Sequence, residues 1–323
     1  MVSVKGKRNA AVLLALLCCM LPASVRAEEE LIRFADFESW ITRSIKESLV
    51  VGGKTQTLYE IGPTGTFDGA RAYTNQGGSP WACSNVYAKM YGVVKTNISV
   101  FPDTHRGGRC AKLMTHVVNC KAIGIVNISA LACGSIFLGT LQEPITSTAD
   151  PMMKMDMNIP FTRKPKALKF DYKFYSPGTG RVRETGMSRR QEVGGKDMAQ
   201  CICLLQKRWE EADGSLHALR VGTMIHRFSQ NTSDWKEGQS FAIHYGDITR
   251  ESFFQEWMGL RTGSNAFCAK NSKGKVVPVQ EEGWAKPDDA PTHIILKFDS
   301  SHGGNYTGTE GNTLWLDNIK MVY

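Results

Sequence analysis

The feature that most constrains the fold is a strict alternation of side chains at residues 168–174. In the run Leu-Lys-Phe-Asp-Tyr-Lys-Phe, every second side chain is large and apolar and the others are charged. Successive side chains of a β-strand point to opposite faces, so this pattern predicts a strand with one face on a hydrophobic core.

Several other segments show the same period. Residues 201–211 and 216–228 flank Asp213-Gly214, and this predicts a hairpin because glycine tolerates the positive φ of a tight turn. Strands are also predicted at residues 109–118, 241–245, 293–298 and 315–323. Helical patterns are few: residues 38–49 and 249–260 each predict a short helix.

Many short strands between Gly, Pro and Asn turns, without alternating helices, predict an all-β protein. The expected architecture is an antiparallel two-sheet sandwich with minor short helices. With 42% hydrophobic residues the chain can bury a substantial core. No repeat or linker divides residues 28–323, so we expect one elaborated domain there.

The N-terminus is organised like a secretory signal. Residues 1–8 are basic, residues 10–21 are apolar, and small residues precede Ala27. The apolar run is too short for a permanent membrane span. We therefore expect cleavage after Ala27 and a secreted, periplasmic or cell-surface protein, with lipid anchoring through Cys18 or Cys19 as the alternative.

A second apolar stretch, residues 122–141, has no charged side chain over twenty residues, which is long enough to span a bilayer. It is interrupted by Gly124, Gly134 and Gly139 and contains short β-branched pieces. We therefore expect buried sheet there, with a membrane span as the alternative.

The charge balance argues against nucleic-acid binding. The full chain has 39 basic and 31 acidic residues, and removing residues 1–27 leaves 35 basic side chains without a cluster. The familiar hydrolase and nucleotide-binding motifs, such as H-E-x-x-H, G-x-S-x-G and the P-loop, are missing from the sequence.

Beyond residue 27 the chain has seven cysteines, so complete disulfide pairing is impossible. Their spacing does not suggest a zinc site. Cys201 and Cys203 should point to one face of a strand, where we expect them to be small buried hydrophobic residues.

Sugar binding needs a flat aromatic ring beside groups that hydrogen-bond to hydroxyls. Four aromatic residues lie in loop-like surroundings and are candidates: Trp81, Trp257, Trp284 and Tyr306. Packing beneath a loop is the alternative for each. Four others are expected in the core: Trp40, Trp209, Trp235 and Trp315.

Asp247 is the candidate carboxylate for hydrogen bonding to sugar. Asp247 and Glu251 are four residues apart and would share a face of the predicted helix, as a general acid and base pair requires. Solvated surface acids are the alternative interpretation.

Several strings resemble one family. The sequences NIPFT at residues 158–162 and KPKALKFDYK at residues 164–173 resemble the signature G-x-PF-t-x-P-x-x-L-x-x-x-YK of the putative carbohydrate metabolism domain family, with Asn158 in place of the first Gly. The ending GNTLWLDNIKMVY is similar to that family's closing strand. FADFESW, WACSN and GRCAKL also resemble family elements, at residues 34–40, 81–85 and 108–113.

This resemblance implies a jelly-roll β-sandwich related to carbohydrate-binding modules. It also implies export in Bacteroidetes-type bacteria, and outer-membrane glycan-uptake components as partners. In similar jelly rolls an acidic residue near the first strand and an Asp near the last share a structural Ca²⁺, and Glu38 and Asp317 match those positions. Calcium would need a further ligand such as Asp36 or Asp68; the alternative is that Asp317 is a hydrogen-bonded turn residue.

The leading hypothesis is an exported, non-catalytic carbohydrate-binding or glycan-handling accessory protein. A glycoside hydrolase acting through paired carboxylates is one alternative. A structural surface adhesin or pilus-like subunit is the other. The glycan is not identified by the sequence.

Overall fold

The computed structural model describes residues 1–2, 28–69, 71–122, 124, 126–187 and 189–323, without the side chains of Asp68 and Ala122. Residues 3–27 of the expected signal, including Cys18 and Cys19, lie outside the described residues.

The described chain is almost entirely β-structure. The strands of its first half are β1 (Glu29–Leu31), β2 (Trp40–Lys46), β3 (Thr55–Ile61), β4 (Gly65–Asp68), β5 (Trp81–Cys83), β6 (Val86–Met90), β7 (Val93–Asn97), β8 (Val100–His105), β9 (Gly108–Met114), β10 (His116–Ala122), β11 (Val126–Ala132), β12 (Ser135–Leu138), β13 (Thr140–Leu141), β14 (Met155–Asp156) and β15 (Ile159–Pro160).

The remaining strands are β16 (Ala167–Tyr175), β17 (Arg181–Thr185), β18 (Arg189–Val193), β19 (Ala199–Glu210), β20 (Leu216–Phe228), β21 (Lys236–Ala242), β22 (His244–Tyr245), β23 (Cys268–Lys270), β24 (Val276–Trp284), β25 (His293–Asp299), β26 (Thr307–Gly308) and β27 (Thr313–Val322). Helical structure within the described residues is limited to 3-10 turns at Leu49–Val51, Gln76–Gly78, Pro151–Lys154, Glu256–Met258 and Gly263–Asn265.

Two sheets form the centre of the molecule. The first sheet has the order β21-β16-β27-β9-β8, with β1 paired to β27. The second sheet has the order β23-β24-β20-β19-β25-β12-β5, with β15 and β22 at its sides. Within these two sheets, neighbouring strands are antiparallel apart from the parallel β20–β24 pair. The predicted all-β, sandwich-like fold is thus confirmed.

The main hydrophobic core lies between these two sheets. Leu168, Phe170 and Phe174 of β16 enter it from the first sheet, as the alternation at residues 168–174 predicts. Cys201 and Cys203 enter it from the second sheet, so the prediction that they share a buried face is confirmed. The predicted hairpin joins β19 to β20, and Gly214 in its turn has a φ of 94°.

The outer face of the second sheet is also covered. A second apolar cluster lies on that face, with Phe137, Ile202, Ile225 and Ile295 among its members. Hairpins β6–β7 and β10–β11 and the 3-10 turn Pro151–Lys154 stand over this side. They leave a cleft between themselves and the sheet.

The helix predicted at residues 38–49 is wrong, because strand β2 occupies most of this segment. Ile41, Arg43 and Ile45 are all buried, which is the period of a strand. The charge of Arg43 obscured this period in the sequence. Its guanidinium tolerates burial because it bonds to Glu60 at 2.7 Å and to Glu143 at 2.8 Å.

The helix predicted at residues 249–260 is also wrong, since only Glu256–Met258 forms a 3-10 turn. Asp247 accepts a hydrogen bond from the backbone N–H of Thr249 at 2.9 Å, and single-turn bonds such as Glu251 N–H to Ile248 O follow. Such local side-chain bonds compete with helix formation.

The apolar residues 122–141 contain β11, β12 and β13 and part of β10, as expected for buried sheet. None of the helices in the described part of the chain has the length and apolar character needed to cross a membrane. Trp40 is in the core as expected, but Trp209 is 37% exposed, and Trp235 and Trp315 are half-buried. The expectation that all four lie in the core is therefore wrong for the last three.

Candidate functional site

A cleft of about 410 Å³ lies on the outer face of the second sheet. This volume falls in the range of about 300–1,000 Å³ that is typical of small-ligand sites. Its floor consists of strands β12, β19, β20 and β25, and its walls are the β6–β7 and β10–β11 hairpins and Pro151–Lys154. Two segments, residues 264–267 and 301–306, close its sides.

A row of polar side chains crosses the floor from strand to strand. Antiparallel register places Arg227 opposite Gln200, Gln200 opposite Asp299, and Asp299 opposite Ser135. Residues paired across neighbouring strands point to the same sheet face. This polar row, Arg227-Gln200-Asp299-Ser135, therefore faces the cleft as one continuous surface.

The next row along the same strands is mainly apolar. Ile225, Ile202, Lys297, Phe137 and Ala82 are paired in sequence across five strands. The floor thus offers an apolar strip beside a hydrogen-bonding strip, which is the combination that the two sides of a pyranose ring require.

Asp299 is the centre of the polar row. Its carboxylate accepts hydrogen bonds from Ser135 Oγ at 2.5 Å and from Gln200 Nε2 at 2.9 Å, and it forms an ion pair with Lys297. Burial, together with nearby Arg261, lowers the pKa of Lys297 to about 8. Asp299 is the only acidic residue among the described residues that line the cleft.

Basic side chains dominate one side of the cleft. Arg227 lies over the ring of Trp257 at 4.3 Å, and Arg261 donates a hydrogen bond to the carbonyl of Trp257 at 3.4 Å. Burial lowers the pKa of both guanidinium groups. Arg261 lowers the pKa of Arg227 further, and Arg220 does the same for Arg261, where Glu281 opposes the shift. Two guanidinium groups are therefore held together at the cleft by contacts with one tryptophan.

The segment 301–306 is held in place by Asp197, which is buried behind it. The Asp197 carboxylate accepts bonds from Ser301 Oγ at 2.7 Å, Thr309 N–H at 2.6 Å and Asn312 Nδ2 at 2.8 Å. Burial alone would raise the pKa of Asp197, but hydrogen bonds led by that from His302 lower it. This network fixes the cleft edge that carries His302, Asn305 and Tyr306.

The aromatic candidates from the sequence occupy different environments. Tyr306 lines the cleft, and its hydroxyl donates to Thr148 O at 2.9 Å. Burial raises the pKa of Tyr306 to about 12. Trp257 stands next to the cleft through its contacts with Arg227 and Arg261, and it also packs against the second apolar cluster.

The other candidates lie elsewhere. Trp81 is 1% exposed in the main core and donates its indole N–H to Arg33 O at 2.9 Å, so neither face of its ring is open to a sugar. Trp284 is half-buried against Arg220 at 5.5 Å. Asp247 is exposed at the start of a turn and is not part of the cleft lining.

Asp317 belongs to a second polar group on the outer face of the first sheet. His105, Asp171 and Asp317 are buried there, with their ligand atoms within 4.8 Å of one another. His105 Nδ1 lies 2.7 Å from Asp317 Oδ2, and the His105 ring stacks on Trp235 at 3.8 Å. Burial raises the pKa of Asp317 to about 6, although its hydrogen bond with His105 opposes the shift.

The chemistry of this group does not match a calcium site. Calcium takes oxygen ligands, whereas this group includes an imidazole. All four carboxylate oxygens already have partners: Asp171 accepts from Gly238 N and Asn318 Nδ2, and Asp317 accepts from His105 and Asn318 N. The group thus links β8, β16, β21 and β27 through hydrogen bonds.

Glu38 is not a member of this group. It is exposed, and its carboxylate accepts hydrogen bonds from the backbone N–H of Arg109 at 3.1 and 3.2 Å. Asp36 is half-buried outside the group as well, and the side chain of Asp68 lies outside the described residues. A calcium ion shared by Glu38 and Asp317 stays a prediction.

Sequence patterns did not predict the main cleft residues as site residues. The strand at residues 293–298 was recognised, and its outward positions include Lys297, but the partners of that face depend on strand register. Alternation within one strand shows which side chains share a face and says nothing about which strand lies beside it. Gln200 and Asp299 hydrogen-bond across 99 residues of sequence, so local patterns could not connect them.

Fold and cleft together define an all-β sandwich protein with a ligand-sized polar cleft on an outer sheet face. Residues 64–322 match the family described as "Putative carbohydrate metabolism domain". The chain belongs to this family, as the resemblance at residues 158–173 and 311–323 suggested.

A comparison with solved structures finds similarity to a putative glycoside hydrolase from Bacteroides vulgatus. Sequence identity is 14%, the TM-score is 0.44, and the match covers 89% of this chain and 96% of the other. A comparison with curated proteins finds no match.

Proposed function

We propose that the protein binds carbohydrate in the cleft on the outer face of the second sheet and acts as a non-catalytic glycan-handling accessory protein. The observation that carries this proposal is the pair of parallel rows on the cleft floor. The polar row supplies hydrogen-bonding groups for sugar hydroxyls, and the Ile202–Phe137 row supplies apolar surface for C–H groups. Membership of a carbohydrate-related family supports the same ligand class.

The lining favours binding over hydrolysis. Glycosidases use two carboxyl groups about 5–10 Å apart across the scissile bond. Among the described cleft residues Asp299 is the single carboxylate, and it is already bonded to Ser135, Gln200 and Lys297. The pair Asp247 and Glu251 is exposed and outside the lining. We therefore expect no release of reducing sugar when the protein is incubated with a glycan that it binds, and a reducing-sugar assay checks this.

Export is part of this proposal. A protein that recognises glycans outside the cell must leave the cytoplasm, and residues 1–27 have the organisation of a cleaved signal. We expect the mature chain to begin at Glu28 in the periplasm, at the cell surface or in the medium. Outer-membrane glycan-uptake components are the proposed partners. N-terminal sequencing of the fractionated protein checks the cleavage site.

The experiment that tests binding is a glycan array followed by calorimetric titration of the best ligand. Ala130 on β11 lines the cleft, so Ala130→Trp should fill it and weaken binding by at least about tenfold. Lys121 on the same hairpin is exposed and outside the lining, so Lys121→Trp is the matched control and should bind like the parent protein. Equal affinities for the two variants, or no ligand on the array, would contradict the proposal.

A further inference from the structure

We infer that the ligand of this cleft is an anionic sugar, whose carboxylate or sulfate group is held by Arg227 and Arg261 beside Lys297. The inference rests on the proposed function and makes it more specific. It concerns the chemical class of the glycan, which neither the family description nor the fold supplies.

The first observation is the imbalance of charge. Among the described residues that line the cleft, Asp299 is the one acid, and five are Lys or Arg, namely Lys95, Lys154, Arg227, Arg261 and Lys297. Asp299 is engaged by Lys297, and Lys95 is paired with Glu47 at 2.7 Å. The positive charges of Arg227, Arg261 and Lys154 are therefore not neutralised by a carboxylate of the cleft lining.

The second observation is that the two guanidinium groups have no acidic partner. Within the part of the chain that the structure describes, neither Arg227 nor Arg261 forms an ion pair with a carboxylate. The Nε atoms of both are buried and lack a hydrogen-bond acceptor. Burying a cation without an ion pair is costly, because burial removes hydration that the contacts with Trp257 replace only in part.

Two fully buried arginines elsewhere in the described chain are paired with glutamates. Arg43 is held between Glu60 and Glu143, and Arg220 binds Glu281 with both side chains fully buried. The guanidinium groups of Arg227 and Arg261 differ from these two in forming no ion pair with a described residue. Arg208 on β19 also forms none, but it lies outside the cleft lining and bonds to Gln206 Oε1 and Met157 O.

The third observation is orientation. Arg227 stands at the end of the polar row, with its guanidinium held over the Trp257 ring at 4.3 Å. Arg261 is fixed by its backbone N–H bond to Glu281 at 2.7 Å and by its bond to Trp257 O. Stacked, preorganised guanidinium groups bind oxyanions in two-point fashion and lose little side-chain entropy. An anionic group bound here would leave the neighbouring sugar ring over Gln200 and Asp299.

The test compares ligands that differ in one kind of anionic group, by calorimetric titration of the full protein. Oligogalacturonide is compared with its methyl ester, and chondroitin sulfate with unsulfated chondroitin. We expect one anionic ligand to bind at least about tenfold more tightly than its less charged counterpart. The pair that shows the preference tells whether a carboxylate or a sulfate is recognised.

Variants show which residues cause the preference for the anionic ligand. Arg227→Gln and Arg261→Gln should each remove most of it, while Arg227→Lys should retain part because the charge remains. Arg183→Gln is the matched control, since Arg183 is exposed on β17 and outside the cleft lining. Thermal unfolding of each variant separates a binding effect from a folding effect, and the ligand comparison on the parent protein needs no variant.

The outcomes distinguish this inference from the proposed function. Equal affinity for charged and neutral glycans, with sensitivity to Ala130→Trp, would overturn the inference and leave the cleft as a neutral-sugar site. Loss of the preference in Arg183→Gln instead of the cleft variants would also overturn it. Failure of every glycan to bind would contradict the proposed function itself.

Discussion

Lys297 and Asp299 lie two positions apart on β25, on the sheet face opposite the main core, and form an ion pair in the cleft floor. Lys297 is 11% exposed and Asp299 is 3% exposed at the side chain. The strand therefore presents a charged pair where it would otherwise continue the apolar surface begun by Ile295.

The first prediction concerns this pair. Asp299→Asn leaves Lys297 without a carboxylate in a largely buried site and removes an acceptor from Ser135 and Gln200. The free energy of unfolding should fall by about 3 kcal/mol, in line with breaking other buried pairs. Urea denaturation followed by fluorescence measures it.

Asp289→Asn is the control for that prediction. Asp289 pairs with Lys207 at 3.5 Å, and both side chains are more exposed. Asp289→Asn should therefore lower the free energy of unfolding by less than about 1 kcal/mol. A similarly small effect for Asp299→Asn would show that the Lys297–Asp299 ion pair does not stabilise the protein.

The second prediction concerns Glu281, which joins the core to the cleft. Its carboxylate binds Arg220 and also accepts from Gln206 Nε2 at 2.6 Å and from the backbone N–H of Arg261 at 2.7 Å. Glu281→Gln should lower the free energy of unfolding by about 3–5 kcal/mol, because Arg220 becomes an unpaired, fully buried charge.

The neighbouring residue Glu282 supplies the comparison for Glu281. It is exposed and bonds to His217 at 2.5 Å, so Glu282→Gln should change stability by less than about 1 kcal/mol. Chemical denaturation of the two variants side by side gives the difference. Near-equal stabilities would refute the role assigned to the buried pair.

The third prediction concerns pH and Asp317. Its pKa in the folded protein is raised to about 6 from the ordinary value of 3.8, so the folded state binds this proton more tightly than the unfolded state. The stability it contributes is present at low pH and is lost as the pH rises from about 4 through about 6, with a total of at most about 3 kcal/mol.

Asp317→Asn removes that titration. The parent protein should therefore lose stability relative to Asp317→Asn as the pH rises through this window, measured by urea denaturation at several pH values. A constant difference between the two proteins across the window would contradict the raised pKa.

The fourth prediction uses the cysteines. Cys133 is half-buried and lines the cleft, whereas the other described cysteines are buried. Burial raises the pKa of buried thiols such as Cys203, to about 12, so their reactive thiolate is rare at neutral pH. Mass-spectrometric mapping after brief maleimide treatment should find Cys133 labelled first among the described cysteines. A bound glycan should slow that labelling, and rapid labelling of Cys201 or Cys203 would contradict the packing.

The sequence was informative where one strand face is apolar and the other polar. Strand β16 follows that rule along its length, and it was correctly predicted. Strand β2 was not, because Arg43 occupies a buried position and only its distant partners Glu60 and Glu143 explain this. Trp81 looked like a loop residue after Gly77-Gly78, yet β5 carries it into the core.

The candidate site was harder to predict for a related reason. The cleft floor consists of residues from four neighbouring strands that are far apart in the sequence, and their alignment depends on register. Register is decided by packing across the whole sheet, so local composition does not reveal it. Of the aromatic candidates, Tyr306 lines the cleft and Trp257 lies beside it.

An experimental structure of the protein with an oligosaccharide bound tests sugar binding in the cleft most directly. We predict a sugar ring over the row formed by Gln200 and Asp299, with its anionic group within hydrogen-bonding distance of Arg227 or Arg261. A sugar bound elsewhere, for example on the exposed Trp209 and His217 stack, with the cleft free of ligand, would contradict it.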